Sequence, residues 1–135
     1  MSLNAAARII LATSLVPQRD HALQAAAVAS WRTAGFTVLS VNGTKEVEQV
    51  RRDFPGVEVV AVERTAEHFA KKPVPFIHDL LAALRRACDG AALAECTVGI
   101  INADIYIRPL PGLAPVIRRE AKSALLLGPR VDVPE

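Results

Sequence analysis

Apolar residues follow two patterns along this chain, short unbroken runs and longer stretches in which they recur every three or four positions. The runs at residues 8–15, 36–41, 57–62, 98–101 and 124–127 suit strands buried within a sheet. The helical pattern fills the gaps between them. Residues 21–34 are rich in alanine, place Leu23, Ala27, Trp31 and Ala34 near one face and stop at Gly35, which predicts a helix packed through Trp31. Asn42-Gly43 reads as a turn, and Thr44 is placed as the N-cap of a second helix with Val47, Val50 and Phe54 on one side, closed by Pro55-Gly56. Ile77, Leu80, Leu81, Leu84 and Cys88 mark the apolar face of a third helix that ends at Asp89-Gly90. A short helix at residues 113–120 follows the interruptions at Pro109, Pro111 and Gly112. Residues 63–75 fit neither pattern, and long irregular segments of this kind are disproportionately functional.

Strand and helix thus alternate from end to end. Right-handed crossovers turn that alternation into an α/β fold of three layers, a mainly parallel sheet with helices on both faces. The 135 residues make one domain. A hydrophobic content of 51% with only 4% aromatic residues means a core of Val, Leu, Ile and Ala, as buried parallel sheets have.

Charge removes several function classes. Sixteen basic residues against 14 acidic ones leave a net charge of +2, too little for general affinity to nucleic acid or an anionic membrane. The apolar start, residues 4–16, is too short to span a bilayer and carries no cleavage pattern, so no membrane span and a cytoplasmic location are expected. Cys88 and Cys96 have neither zinc-type spacing nor a histidine neighbour and read as a reduced pair of small core residues. No Gly-x-Gly-x-x-Gly follows the first strand and no P-loop is present, which argues against a dinucleotide dehydrogenase and a P-loop NTPase. A hydrolase built on Ser14 or Cys96 lacks a nucleophile elbow and a visible His-Asp partner.

The stretch from Val98 to Asp104 is the most informative. Its apolar run reads as a central strand buried on both faces, and it stops at Asn102-Ala103-Asp104. Side chains two apart on extended backbone point the same way, so an amide and a carboxylate at the carboxyl end of a strand can address one hard cation or one ribose. The same residues equally suit an Asx-type turn. Asn42 has the same two readings, turn chemistry or a base or ribose contact. Arg64, Lys71 and Lys72 lie in the irregular segment, where they either meet a diphosphate or remain a solvated loop. His68, His78 and Glu63 are the remaining acid-base candidates nearby, while Asp79 suits the first turn of a helix whatever the function.

The order of these parts resembles the amino-terminal half of a GT-A type glycosyltransferase, a nucleotide-diphospho-sugar transferase with a Rossmann-like sheet. The similarity is carried by Thr13-Ser14-Leu15-Val16-Pro17 after the first strand, the helix with Trp31, Ser40-Val41-Asn42, and Ile101-Asn102-Ala103-Asp104-Ile105. In that family the first two strand ends contact the nucleotide, which implies nucleotide-binding roles for Thr13, Ser14, Asn42 and Asn102. The family's Asp-x-Asp motif holds a divalent metal and the donor diphosphate. Here Asn102 stands in place of its first aspartate, leaving Asp104 to hold Mn²⁺ or Mg²⁺, with Arg64, Lys71 and Lys72 toward the diphosphate. Members of the family continue into an acceptor region that supplies the catalytic base, and nothing after Val133 corresponds to it. The resemblance therefore implies a nucleotide-sugar-binding domain, half of a longer transferase fold and inactive alone, whose open strand edge favours a homodimer. The alternative is a non-catalytic α/β binding or assembly module in which Asn102 and Asp104 are turn residues.

Overall fold

The computed structural model describes residues 8–89 and 95–132; the expected lead-in at residues 4–7, the helix stop at Gly90 and residues 133–135 lie outside them. Four strands, β1 (Ile9–Thr13), β2 (Phe36–Gly43), β3 (Glu58–Val62) and β4 (Thr97–Ile100), form one sheet in the order β3-β2-β1-β4. Every pairing among these four strands is parallel. Five helices accompany them among the described residues: α1 (His21–Thr33), α2 (Val47–Asp53), α3 (Glu67–Ala70), α4 (Ile77–Cys88) and α5 (Leu113–Glu120).

The sheet grows in one direction from β1 through β2 to β3, and then the chain crosses back to place β4 on the other side of β1. Right-handed connections in opposite directions need helices on opposite faces. The two cores follow this rule. Ile9 and Leu11 of β1, Val38 of β2 and Val59 of β3 pack against Ala27, Val28 and Trp31 of α1 and Val47 and Val50 of α2. Ile10 and Ala12, with Leu39 and Val41, pack instead against Leu80, Ala83, Leu84 and Cys88 of α4. Alternate side chains of each strand thus supply alternate faces.

Several expectations need correction. β4 is an edge strand, and Val98 and Ile100 are each 44% exposed on the α4 side, because α4 lies over β1 and β2 and stops short of them. An unbroken apolar run cannot distinguish an edge from the centre when only one face is covered. Residues 124–127 form no strand, and Leu125 and Leu127 are 86% and 84% exposed. Handedness gives the reason. Leu113, Ala114 and Ile117 of α5 pack on the same face as α1, so a parallel strand returning outside β4 would need a left-handed crossover.

Asn42-Gly43 is not a turn but the end of β2, with Asn42 in register with Ala61 and Gly43 with Val62. Thr44 is no N-cap, since α2 begins at Val47 and is preceded by Glu46. Leu23, Ile77 and Leu81 are exposed, and the buried stripes are rotated to Gln24, Ala27, Val28 and Trp31 in α1 and to Leu80, Ala83, Leu84 and Cys88 in α4. Cys88 and Cys96 are joined in a disulfide with Cα atoms 6.1 Å apart, not a reduced pair. The crossover sets the end of α4 beside the start of β4, a proximity that spacing in sequence does not reveal.

The exit from β1 is held by side chains of β2. The Leu15 amide donates to Ser40 Oγ (2.9 Å), Ser40 Oγ donates to Asn42 Oδ1 (2.6 Å), and Asn42 Nδ2 donates to the Leu15 carbonyl (2.8 Å). All three residues are buried. One residue further on, the Val16 amide donates to Gln24 Oε1 (2.8 Å), and Gln24 Nε2 donates to the carbonyls of Val16 (2.9 Å) and Arg19. A buried loop backbone has no strand to bond with, and these side chains satisfy it instead.

Asn42→Ala is expected to destabilise the domain by about 3 kcal/mol, because the Leu15 carbonyl and the Ser40 hydroxyl lose a partner at roughly 1–3 kcal/mol each. Urea unfolding measures this, and a loss below about 1 kcal/mol would show that the clamp is not needed.

Candidate functional site

All four strands run parallel, so their carboxyl ends, and the residues that follow them, share one edge of the sheet. The direction of growth reverses between β1 and β4, and in open α/β sheets the crevice outside such a point is where ligands bind. A cleft of about 570 Å³ lies there. Its floor is the β1–α1 loop, with Thr13, Ser14, Leu15, Val16 and Arg19; Ile100 to Ala103 of the β4 end form one wall. Glu46, before α2, lies on the β2 side, and Lys72 to Pro75 with Ile77 and Leu80 of α4 complete the lining.

The irregular segment reaches this place for local reasons. Gly43 has no side chain where a Cβ would meet Thr65 Cγ2 at 3.0 Å and Pro73 Cβ at 3.6 Å, so the side chains of the segment after β3 pack directly on the end of β2. The Ala66 amide donates to the Val74 carbonyl (2.8 Å), which closes the stretch around α3 into a loop and holds Lys72 between its ends.

Of the residues named from sequence, Thr13, Ser14, Asn102 and Lys72 line the cleft together. Asn42 does not, being 0% exposed with its amide committed to Leu15 and Ser40. It builds the floor from behind. Asp104 follows β4 at the same edge but is exposed in a turn, closed by the Ile105 amide on the Asn102 carbonyl (3.2 Å), and is not part of the lining. Lys71 and Arg64 also lie outside the lining; Lys71 is exposed with a left-handed backbone, and the Arg64 guanidinium sits 5.5 Å from the centre of the Phe76 ring. His68 packs edge-on against Phe69, and His78 stacks near Phe76 and lies 3.2 Å from Asp79. Glu63 is exposed and not part of the lining, so none of these acid-base candidates faces the cleft.

Two features of the cleft carry chemistry. Thr13 is 1% exposed and its hydroxyl has no hydrogen-bond partner, the one such buried side-chain atom among the described residues. An unpaired buried hydroxyl costs stability, and one on a residue that lines a cleft can be completed by a ligand. Glu46 is half-buried, and its pKa is raised by loss of solvent, opposed by a hydrogen bond from Asn42 and reinforced by the nearby negative charge of Glu67. Glu67 itself pairs with Lys45 at 3.8 Å, whereas Glu46 has no ion pair among the described residues. Nothing in the sequence singles out Glu46 or Arg19. Only the Thr44-to-Val47 helix start placed Glu46 near a strand end, and nothing marked it as different from the other surface glutamates.

A raised carboxyl pKa means that the folded state holds its proton to higher pH than the unfolded chain. The folded state is therefore favoured below the ordinary carboxyl range and loses that advantage as pH rises through the raised value. Glu46→Gln removes the charged form altogether. Its melting temperature is expected to exceed that of the wild type at pH 7, with the gap closing toward pH 4; a gap that widens on acidification would contradict the burial of Glu46.

No family model, curated protein or solved structure matches this chain, and the chemistry of the cleft itself carries the functional reading.

Proposed function

We propose that this chain binds a nucleotide sugar in the cleft at the carboxyl edge of β1 and β4, as the donor-binding domain of a GT-A type glycosyltransferase. The observation that carries this reading is the convergence of Thr13, Ser14, Asn102 and Lys72 on one cleft at the point where the sheet reverses its direction of growth. The parts have suitable chemistry. Thr13 and Ser14 offer hydroxyls and Asn102 an amide, able to donate and accept toward a base or ribose. Lys72 and Arg19 are the cations of the lining, and a diphosphate bound between them gains charge-assisted hydrogen bonds. Such neutralisation is what a departing nucleoside diphosphate requires.

A divalent metal fits this site only in part. Among the described residues no three His, Cys, Asp or Glu groups converge to hold a cation. Asp104 can supply one oxygen to Mg²⁺ or Mn²⁺, and phosphate oxygens and water would have to complete the shell, a division that Mg²⁺ commonly accepts. The metal would then add to the charge neutralisation that Lys72 and Arg19 begin.

A second reading, a non-catalytic α/β binding or assembly module, is favoured by one observation. Residues 102–105 form a hydrogen-bonded turn that leaves Asp104 outside the cleft lining. In that case Asp104 is turn chemistry alone.

Calorimetry with UDP-, GDP-, CMP- and dTDP-sugars, with and without Mn²⁺, separates the two. At least one donor is expected to bind, Lys72→Ala to weaken it by about tenfold through loss of a charge-assisted bond, and Asp104→Ala to weaken it only when Mn²⁺ is present. Absence of binding across the whole panel would overturn the nucleotide-sugar reading in favour of the module.

A further inference from the structure

The nucleotide-sugar reading leaves Glu46 without a role, yet Glu46 is the sole carboxylate in the lining of the cleft. Its position is fixed by the fold. β2 lies next to β1 and runs parallel to it, and the residues after Gly43 turn back across the same sheet edge into α2. A ligand resting on Thr13 and Ser14 therefore has Asn102 and Ala103 to one side and Glu46 to the other, with Lys72 in the segment above.

The surroundings of Glu46 are those of an acceptor that awaits donors. No lysine or arginine pairs with it among the described residues, although Lys45 next to it in sequence pairs with Glu67 instead. Its one stabilising neighbour is Asn42, whose amide is itself bonded to the Leu15 carbonyl. A carboxylate has about four acceptor sites, and a single amide neighbour leaves most of them open. A partly desolvated, uncompensated carboxylate in a cleft is characteristic of binding sites, since a purely structural one would be paired or fully solvated. The second independent feature is the buried, unpartnered hydroxyl of Thr13 in the lining of the same cleft.

Resting on the proposed nucleotide-sugar site, we infer that Glu46 accepts hydrogen bonds from the vicinal hydroxyls of the ligand's ribose and makes this cleft selective for ribonucleotides over deoxyribonucleotides. Two neighbouring hydroxyls match the two oxygens of one carboxylate, and both bonds are charge-assisted. Lys72 is left for the phosphates, with Arg19, which pairs with Asp20 at 3.7 Å, also in the lining. A deoxyribose retains one of the two donors and leaves one carboxylate oxygen desolvated against carbon, which costs more than the loss of the bond alone.

Calorimetric titration of the wild type and Glu46→Gln with UDP, GDP and their 2′-deoxy forms tests this. For the wild type the better-bound ribonucleotide is expected to bind about tenfold more tightly than its 2′-deoxy form, the effect of one hydrogen bond to a charged group. In Glu46→Gln the ratio is expected to fall to about twofold or less, while the melting temperature does not drop below that of the wild type. If UDP or GDP binds but the ratio is unchanged in Glu46→Gln, the role of Glu46 is wrong and the nucleotide site stands. If none of the four nucleotides binds the wild type, both the site and the role of Glu46 fall.

Discussion

The hydrogen bonds that Ser40 and Asn42 make to the Leu15 peptide are the constraint on which the rest of this structure turns. β1 ends at Thr13, and the chain must leave the sheet while its backbone is still buried. Buried peptide groups without partners are strongly disfavoured, and here the neighbouring strand provides them through side chains rather than through its backbone. Gln24 continues the same arrangement from the first turns of α1. The loop that floors the cleft is thereby held from beneath by β2 and from the side by α1. Such prior ordering matters for binding, since a loop already fixed loses little conformational freedom when a ligand arrives.

The position of the cleft follows from chain topology and not from any motif. α1 and α2 lie on one face because β2 and β3 are added in one direction, and α4 lies on the other because β4 is added in the opposite one. Helices diverge to opposite faces at this reversal, so no connection closes over the carboxyl ends of β1 and β4 and a crevice remains. The loop around α3 then forms its outer rim, with Lys72 at the opening. Polar groups from four separate segments meet there, which is the usual design of a site grafted onto a rigid sheet.

Much of this was legible in the residues. The five runs and the helical stretches between them gave four real strands, all of α1, α2, α4 and α5, and the parallel α/β class, because burial periodicity is a local property. Asn102 was marked by its place at a strand end, and Thr13 and Ser14 by the resemblance; all three line the cleft. What escaped depends on neighbours distant in sequence. Asn42 reads as a turn residue until Ser40 and Leu15 are brought beside it, and the exposure of Val98 and Ile100 depends on how far α4 extends. The face chosen by α5 removed the expected last strand, and the crossover joined Cys88 to Cys96. Arg19 and Glu46 were missed because charged residues in loops are ordinary until a cleft is seen to include them.

Residue-resolved NMR tests the central claim, that a clamped loop at the sheet reversal forms the ligand site, most directly. In a titration of the ¹⁵N-labelled chain with the best-bound nucleotide sugar, the account predicts that the largest amide shifts fall on Thr13, Ser14, Val16, Glu46, Lys72, Asn102 and Ala103, residues drawn from four separate segments. Shifts concentrated instead on the apolar groove that Ala26, Ala29 and Thr33 of α1 form with Tyr106 and Leu110 would contradict it.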